Sequence, residues 1–246
     1  MIKVGTCGFP ISRKRYYAEF KVIELNNTFY KIPDLEWLKR IKEESPKDFE
    51  FTFKVFQGIT HDVNSPTWKK SNIENYINLK GKVGYLRNTE EIFNFWKIQE
   101  EIAKILESKI IVMQLPNSFT DNKENIKNAN EFFNSIGNKK YRIAIEFRGW
   151  KKENIIRLCE EFNLIPILDI SHEDPFYDSD IKYYRLHGKY ENSRIIYKYH
   201  YSAEELKKIA EKVLKYNKFS SYVMFNNSYM YKNAKEFLEI LNNEVL

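Results

Sequence analysis

Short apolar runs alternate along this chain with longer stretches in which apolar side chains return every third or fourth position. A compact run of Val, Ile, Leu and aromatic residues predicts a buried strand, and the three-to-four spacing predicts a helix with one apolar face. Strands are expected at 2–5 (IKVG), 22–26 (VIELN), 50–55 (EFTFKV), 109–115 (KIIVMQL), 141–147 (YRIAIEF), 164–169 (LIPILD), 181–187 (IKYYRLH) and 221–226 (SYVMFN). Helices are expected between most of them. Residues 34–44 align Leu35, Leu38 and Ile41 behind an Asp34 N-cap, and 90–107 gather Ile92, Trp96, Ile102 and Leu106 on one face. Similar faces run through 124–136 and 152–162, the latter placing Cys159 against the sheet. Ser202 and Glu205 have capping-box spacing ahead of Leu206, Ile209, Ala210 and Val213. A last helix carries Ala234, Phe237 and Leu241.

Strand–helix alternation of this kind predicts an α/β protein on a parallel sheet. Eight such units make a (β/α)8, TIM-barrel-like fold the simplest solution, with an open doubly wound sheet as the alternative. Two connections break the pattern. The sixth, 170–180, is too short for a helix with its loops, and the third, 56–108, is long and rich in aromatic and basic residues, as lids and binding elements are. With only eight Gly and seven Pro and no linker-like stretch, residues 1–246 read as one domain.

Composition narrows the class. Apolar residues at 43% and charged residues at 30% fit a globular protein and argue against disorder. The two cysteines, Cys7 and Cys159, make no metal-binding spacing and suit buried thiols in a reducing compartment. MIKVGTCGF has no leader pattern, and no run approaches the ~20 apolar residues that span a bilayer, so a cytoplasmic location without membrane contact is expected. The net charge of +6 favours anionic partners, either a small molecule or nucleic acid, although many lysines alternate with glutamates as on solvated helix faces. Oligomeric state is not legible.

In a parallel barrel the strand C-termini share one face, where ligand groups gather. The expected strands end in chemistry: Glu24 and Asn26, Lys54 followed by His61, Gln114, Glu146 and Arg148, Asp169, Arg185 and His187, and Asn226 with Asn227. Glu24, Glu146, Asp169 and His187 are the candidate proton-transfer groups. Lys54, Arg148 and Arg185 suit an anion, with Asn26, His61, Gln114, Asn226 and Asn227 as further substrate contacts. The competing reading is a buried ion-pair network in which the carboxylates neutralise those same cations. With His187, the carboxylates could also hold Mg²⁺, Mn²⁺ or Zn²⁺, although no HxH or HExxH spacing supports a metal. No GxGxxG or phosphate-binding loop is present, so no nucleotide cofactor is indicated. Tyr197, Tyr199 and Tyr201 alternate in a way that puts three rings on one side of an extended segment.

Several of these segments, taken in order, resemble the YecE-like family, domain of unknown function 72. They are GTCGF at 5–9, ELNNTFY at 24–30, FKV with ITHD within 53–62, QLP at 114–116, AIEFRGW at 144–150, RLHG at 185–188 and FNN at 225–227. The resemblance spans the chain and implies a TIM-barrel-like fold with an uncharacterised function. The chain departs from the family pattern at Cys7, where Ser is common, at Gly149, and at Ser228-Tyr229-Met230-Tyr231. No nucleophilic role is therefore carried over to position 7. The expected function is a hydrolase or lyase acting on an anionic, phosphate-bearing substrate at the strand C-termini; the alternative is a non-catalytic ligand- or nucleic-acid-binding protein.

Overall fold

The computed structural model describes residues 1–137, 140–192 and 194–244. In chain order the elements are β1 (Ile2–Thr6), α1 (Arg13–Glu19), β2 (Val22–Leu25), α2 (Asn27–Tyr30), α3 (Leu35–Glu43), β3 (Glu50–Lys54) and α4 (Gln57–Thr60). There follow α5 (Glu90–Leu106), β4 (Ile110–Gln114), α6 (Lys123–Ile136), β5 (Arg142–Glu146), α7 (Lys152–Phe162) and β6 (Ile165–Leu168). The last part holds β7 (Ile181–Leu186), β8 (Lys189–Glu191), β9 (Arg194–Ile196), α8 (Ala203–Tyr216), β10 (Ser220–Phe225) and α9 (Met230–Glu244). Eight strands lie in the order β1-β10-β7-β6-β5-β4-β3-β2, and β8 and β9 form a separate antiparallel hairpin. The ends of that order meet at a parallel bridge from Cys7 to Glu24. This is the (β/α)8, TIM-barrel-like topology.

The chain divides into two compact units. The first comprises Met1–Glu24, Pro46–Glu50 and Ile167–Leu246, the second Leu25–Ser45 and Phe51–Pro166. In the first, β10 pairs in parallel with β1 and β7, and Ile167 and Leu168 of β6 align with Tyr183 and Tyr184 of β7. Strand β1 packs unusually close to β2: a Cβ on Gly5 would lie 2.4 Å from the Val22 carbonyl oxygen, so only glycine fits. The expected capping box is present at α8, where the Ser202 hydroxyl accepts from Glu205 N and the Glu205 carboxylate accepts from Ser202 N. The link from β6 to β7 holds turns and no helix, as its length dictates.

In the second unit β4 lies between β3 and β5, with Gln114 directly beside Glu146. Asp34 caps α3 by accepting from Glu36 N and Trp37 N. Cys159 is fully buried on α7, as its place on the apolar face requires. The long third connection is a packed element rather than an open loop. Phe56, Val63, Trp68 and Val83 form its own apolar core, and Trp68 is stacked on Tyr76. Gly84, at φ +77, seals it: a Cβ there would meet Asp62 N at 2.4 Å.

Candidate functional site

The predicted side chains fall into two clusters, one in each unit and each at the C-terminal ends of its strands. In the first unit, alternate residues of β7 point the same way, so Tyr183, Arg185 and the following His187 share a face. The Arg185 guanidinium lies 2.9 Å from Glu24 Oε1, with both side chains essentially out of solvent at 1% and 0% exposure. Tyr183 donates its hydroxyl to Glu24 Oε2 at 2.9 Å, and Cys7 donates its thiol to Oε1 at 3.4 Å. One buried carboxylate thus gathers a guanidinium, a phenol and a thiol. Burial first, and the Glu24 charge second, push the Cys7 thiol well above its ordinary range, so it stays protonated and unreactive.

One layer further along the strands lie Asp169, His187 and Asn226. Asp169 accepts from Ser171 N at 3.1 Å, from the Ser171 hydroxyl, and from His187 N at 3.0 Å. Its carboxylate therefore ties the end of β6 to the end of β7, and burial raises its pKa despite those donors. The Asn226 amide meets His187 Nδ1 at 3.1 Å, an arrangement in which Nδ1 accepts and Nε2 carries the ring proton. Such an imidazole can donate a hydrogen bond from Nε2 to a ligand. Asn227 donates to the Tyr199 carbonyl at 2.7 Å and to Asn233 at 2.9 Å, so it braces the 199–201 segment. The three tyrosines expected on one side of that segment diverge: Tyr201 is buried with its hydroxyl on Gly188, whereas Tyr197 is exposed.

The second unit builds a different cluster. Lys54 ends β3 with 6% exposure; its ammonium donates to Gln114 Oε1 at 2.9 Å and sits 3.7 Å from the centre of the Phe29 ring. An amide oxygen and an aromatic face both orient a cation. The Arg148 Nε donates to Glu146 Oε1 at 2.8 Å. Thr28 holds the cluster's floor, its hydroxyl lying within 2.8 Å of the Leu25 and Lys54 carbonyls. Asn26 precedes α2, its carbonyl accepting from Phe29 N at 3.2 Å.

His61, early in the long third connection, is buried. Residues 57–60 form a helical turn beneath it, and the Trp68 indole donates to its carbonyl at 3.0 Å. Its pKa falls to about 3, mainly through burial, then through the charges of Lys54 and Arg148, with Glu146 opposing. The imidazole is thus neutral in a field where two cations outweigh one carboxylate. Among the described residues no three His, Cys, Asp or Glu side chains assemble as metal ligands would.

Tyr183 and Thr28 belong to these clusters although neither stands among the polar residues that end the strands. Period-two spacing with Arg185 and His187 marks Tyr183, whereas nothing local marks Thr28 as the residue bridging two strand ends.

A family model described as "Protein of unknown function DUF72" matches residues 12–245. A DUF72 family protein from Thermotoga maritima MSB8 is 25% identical, with 98% of this chain and 99% of that one covered at a TM-score of 0.71. One from Enterococcus faecalis V583 is 19% identical, covering 98% and 96% at a TM-score of 0.74. A D-tagatose 3-epimerase-like protein shares the fold at 14% identity, covering 99% and 100% at a TM-score of 0.60. No curated protein matches the chain. Among the described residues no helix is long and apolar enough to cross a membrane.

Proposed function

The chain belongs to the DUF72 family, described as proteins of unknown function, and from its own side chains we propose that it is an enzyme, a hydrolase or lyase, acting on an anionic, phosphate-bearing substrate. The observation that carries this reading is the Lys54 cluster. Its ammonium meets an amide oxygen and an aromatic face, and together with the Arg148 guanidinium it adds to burial in keeping His61 neutral. At His61 the two cations outweigh the one carboxylate, and a field of that sign favours an incoming anion such as a phosphate.

Lys54 and Arg148 grip the anion in this reading, with Gln114 and neutral His61 adding hydrogen bonds. Glu146 is the proton-transfer group beside the cations. Phosphate arriving at Arg148 competes for the guanidinium, and a carboxylate that loses part of its cationic partner becomes the stronger base. His187 stays with the first unit, where Asn226 holds its ring at the end of β7. Glu24 and Arg185 neutralise one another and hold the strands, and Asp169 fastens the ends of β6 and β7.

Thermal unfolding in inorganic phosphate and in sugar phosphates tests the reading. A ligand at 100 times its Kd stabilises the native state by about 2.7 kcal/mol, so a clear rise in Tm is expected for the wild type and none for Lys54→Met. Glu146→Gln should keep the shift while abolishing turnover of whichever ester binds. Indifference of the wild-type Tm to every phosphate-bearing compound would remove the proposal.

A further inference from the structure

The long third connection contains TWKK at 67–70, and its two lysines serve neither the packing of that element nor the Lys54 cluster. Trp68 is buried in the small core of the connection, which turns Lys69 and Lys70 outward. Across from them, the exit of α2 presents Tyr30 and Lys31. Asn27, Tyr30, Lys31, Lys69, Lys70 and Ser71 line an open cleft of about 550 Å³, with no carboxylate among them. Two exposed lysines elsewhere on this unit pair with acids, Lys39 with Glu36 and Lys82 with Glu91. Among the described residues Lys31, Lys69 and Lys70 have no such acid, and Lys70 instead lies 4.9 Å from the centre of the Tyr30 ring.

The two walls of the cleft are held at a fixed separation. Asn72 donates to the Ile32 carbonyl at 2.9 Å and accepts from Ile32 N at 3.0 Å. Buried Gln57 donates to the Tyr30 carbonyl at 3.1 Å and lies 3.4 Å from the Thr67 carbonyl. Three like charges kept around one opening repel each other. A bound anion relieves that repulsion. The cleft also connects with the Lys54 cluster: Tyr30 packs edge-on against Phe29 at 5.0 Å, and the same Phe29 ring carries the Lys54 ammonium.

We propose that this cleft binds the phosphodiester backbone of a single-stranded nucleic acid, with Tyr30 as a stacking surface for a base, so that the phosphate-bearing substrate is a strand rather than a small ester. The inference rests on the reading of the Lys54 cluster as an anion site and adds to it a subsite for a neighbouring stretch of the same molecule. Lysines tracking a backbone beside an aromatic face are the common means of holding a strand without regard to sequence. A strand also explains why the second cationic site is open and shallow, whereas Lys54 is buried: the backbone enters from the surface and only the reacting phosphate is enclosed.

The test is fluorescence anisotropy of a labelled oligothymidylate against the wild type, K31Q/K69Q/K70Q, and a control, K97Q/K104Q/K123Q, that removes the same charge from exposed positions elsewhere. The cleft variant should bind at least about tenfold more weakly, with its salt dependence reduced by about two counterions, at ~0.7 for each phosphate that is no longer neutralised. The control should bind within about twofold of wild type, and Tyr30→Leu should weaken binding several-fold at unchanged salt slope. Polyglutamate should compete poorly; strong competition would assign the cleft to an acidic protein and overturn the proposal. Equal losses in both triple variants would overturn it in favour of net charge alone. An oligonucleotide that fails to bind while inorganic phosphate still raises the wild-type Tm would overturn it and leave the Lys54 site standing. Strand binding that survives in the absence of any phosphate-induced Tm shift would support the cleft and remove the enzyme reading.

Discussion

The two units bury charge in opposite ways. In the first, Glu24 meets Arg185, Tyr183 and Cys7, so the guanidinium and carboxylate cancel within a shell of donors. In the second, Lys54 rests on an amide oxygen and a phenyl ring, and the field at His61 remains positive although Glu146 is near. A charge cancelled in place serves the fold, because removing either partner strands the other. Where two cations outweigh one carboxylate, the remaining field favours an anion that arrives. The difference separates residues that look equivalent in sequence: Arg185 and Arg148 both stand near the C-terminal end of a strand, yet of the two only Arg185 is sealed from solvent.

The largest effect that can break this comparison is on stability. Arg185→Ala leaves the Glu24 carboxylate buried without its cation and should cost about 3–5 kcal/mol in denaturant unfolding. Lys54→Met keeps the chain length over Phe29 and should cost less than about 2 kcal/mol. Similar losses for the two variants would erase the distinction. An intermediate effect is expected when the whole pair goes. Glu24→Leu combined with Arg185→Met should be more stable than Arg185→Met alone, since no lone charge remains, and a double-mutant cycle measures the difference. The smallest effect is on pH dependence. His61 takes a proton near pH 6.5 in the unfolded chain but only near 3 when folded. The unfolded state therefore binds more protons across that window, and stability falls as pH drops from 6.5 toward 3. His61→Phe should flatten that part of the curve, as should saturating phosphate, which would offset the cations. An identical slope in the variant would mean that the imidazole protonates in place.

Much of the architecture was written in local pattern. All eight barrel strands lie where apolar runs predicted, because strands buried on both faces must be apolar almost throughout. Asp34 and Ser202 marked helix starts because capping is a contact within one turn. Helix α1 left no such trace, since its buried face is only Tyr16 and Tyr17, too few for a period to show. The candidate site was half legible. That polar residues end the strands was visible; which of them cancel was not, because Glu24 and Arg185 are brought together only by the register of distant strands. The buried state of His61 was hidden for a related reason, as it depends on Trp68 closing back over a turn seven residues earlier.

The two thiols have a practical consequence. Cys7 and Cys159 are both buried, and burial pushes Cys159 up to about 12 and Cys7 well above its usual value. At neutral pH an alkylating dye finds almost no thiolate on the native protein. A single cysteine introduced at Ser71, on the rim of the basic cleft, can therefore be labelled without first deleting the natural pair, and its fluorescence would report directly on what enters there.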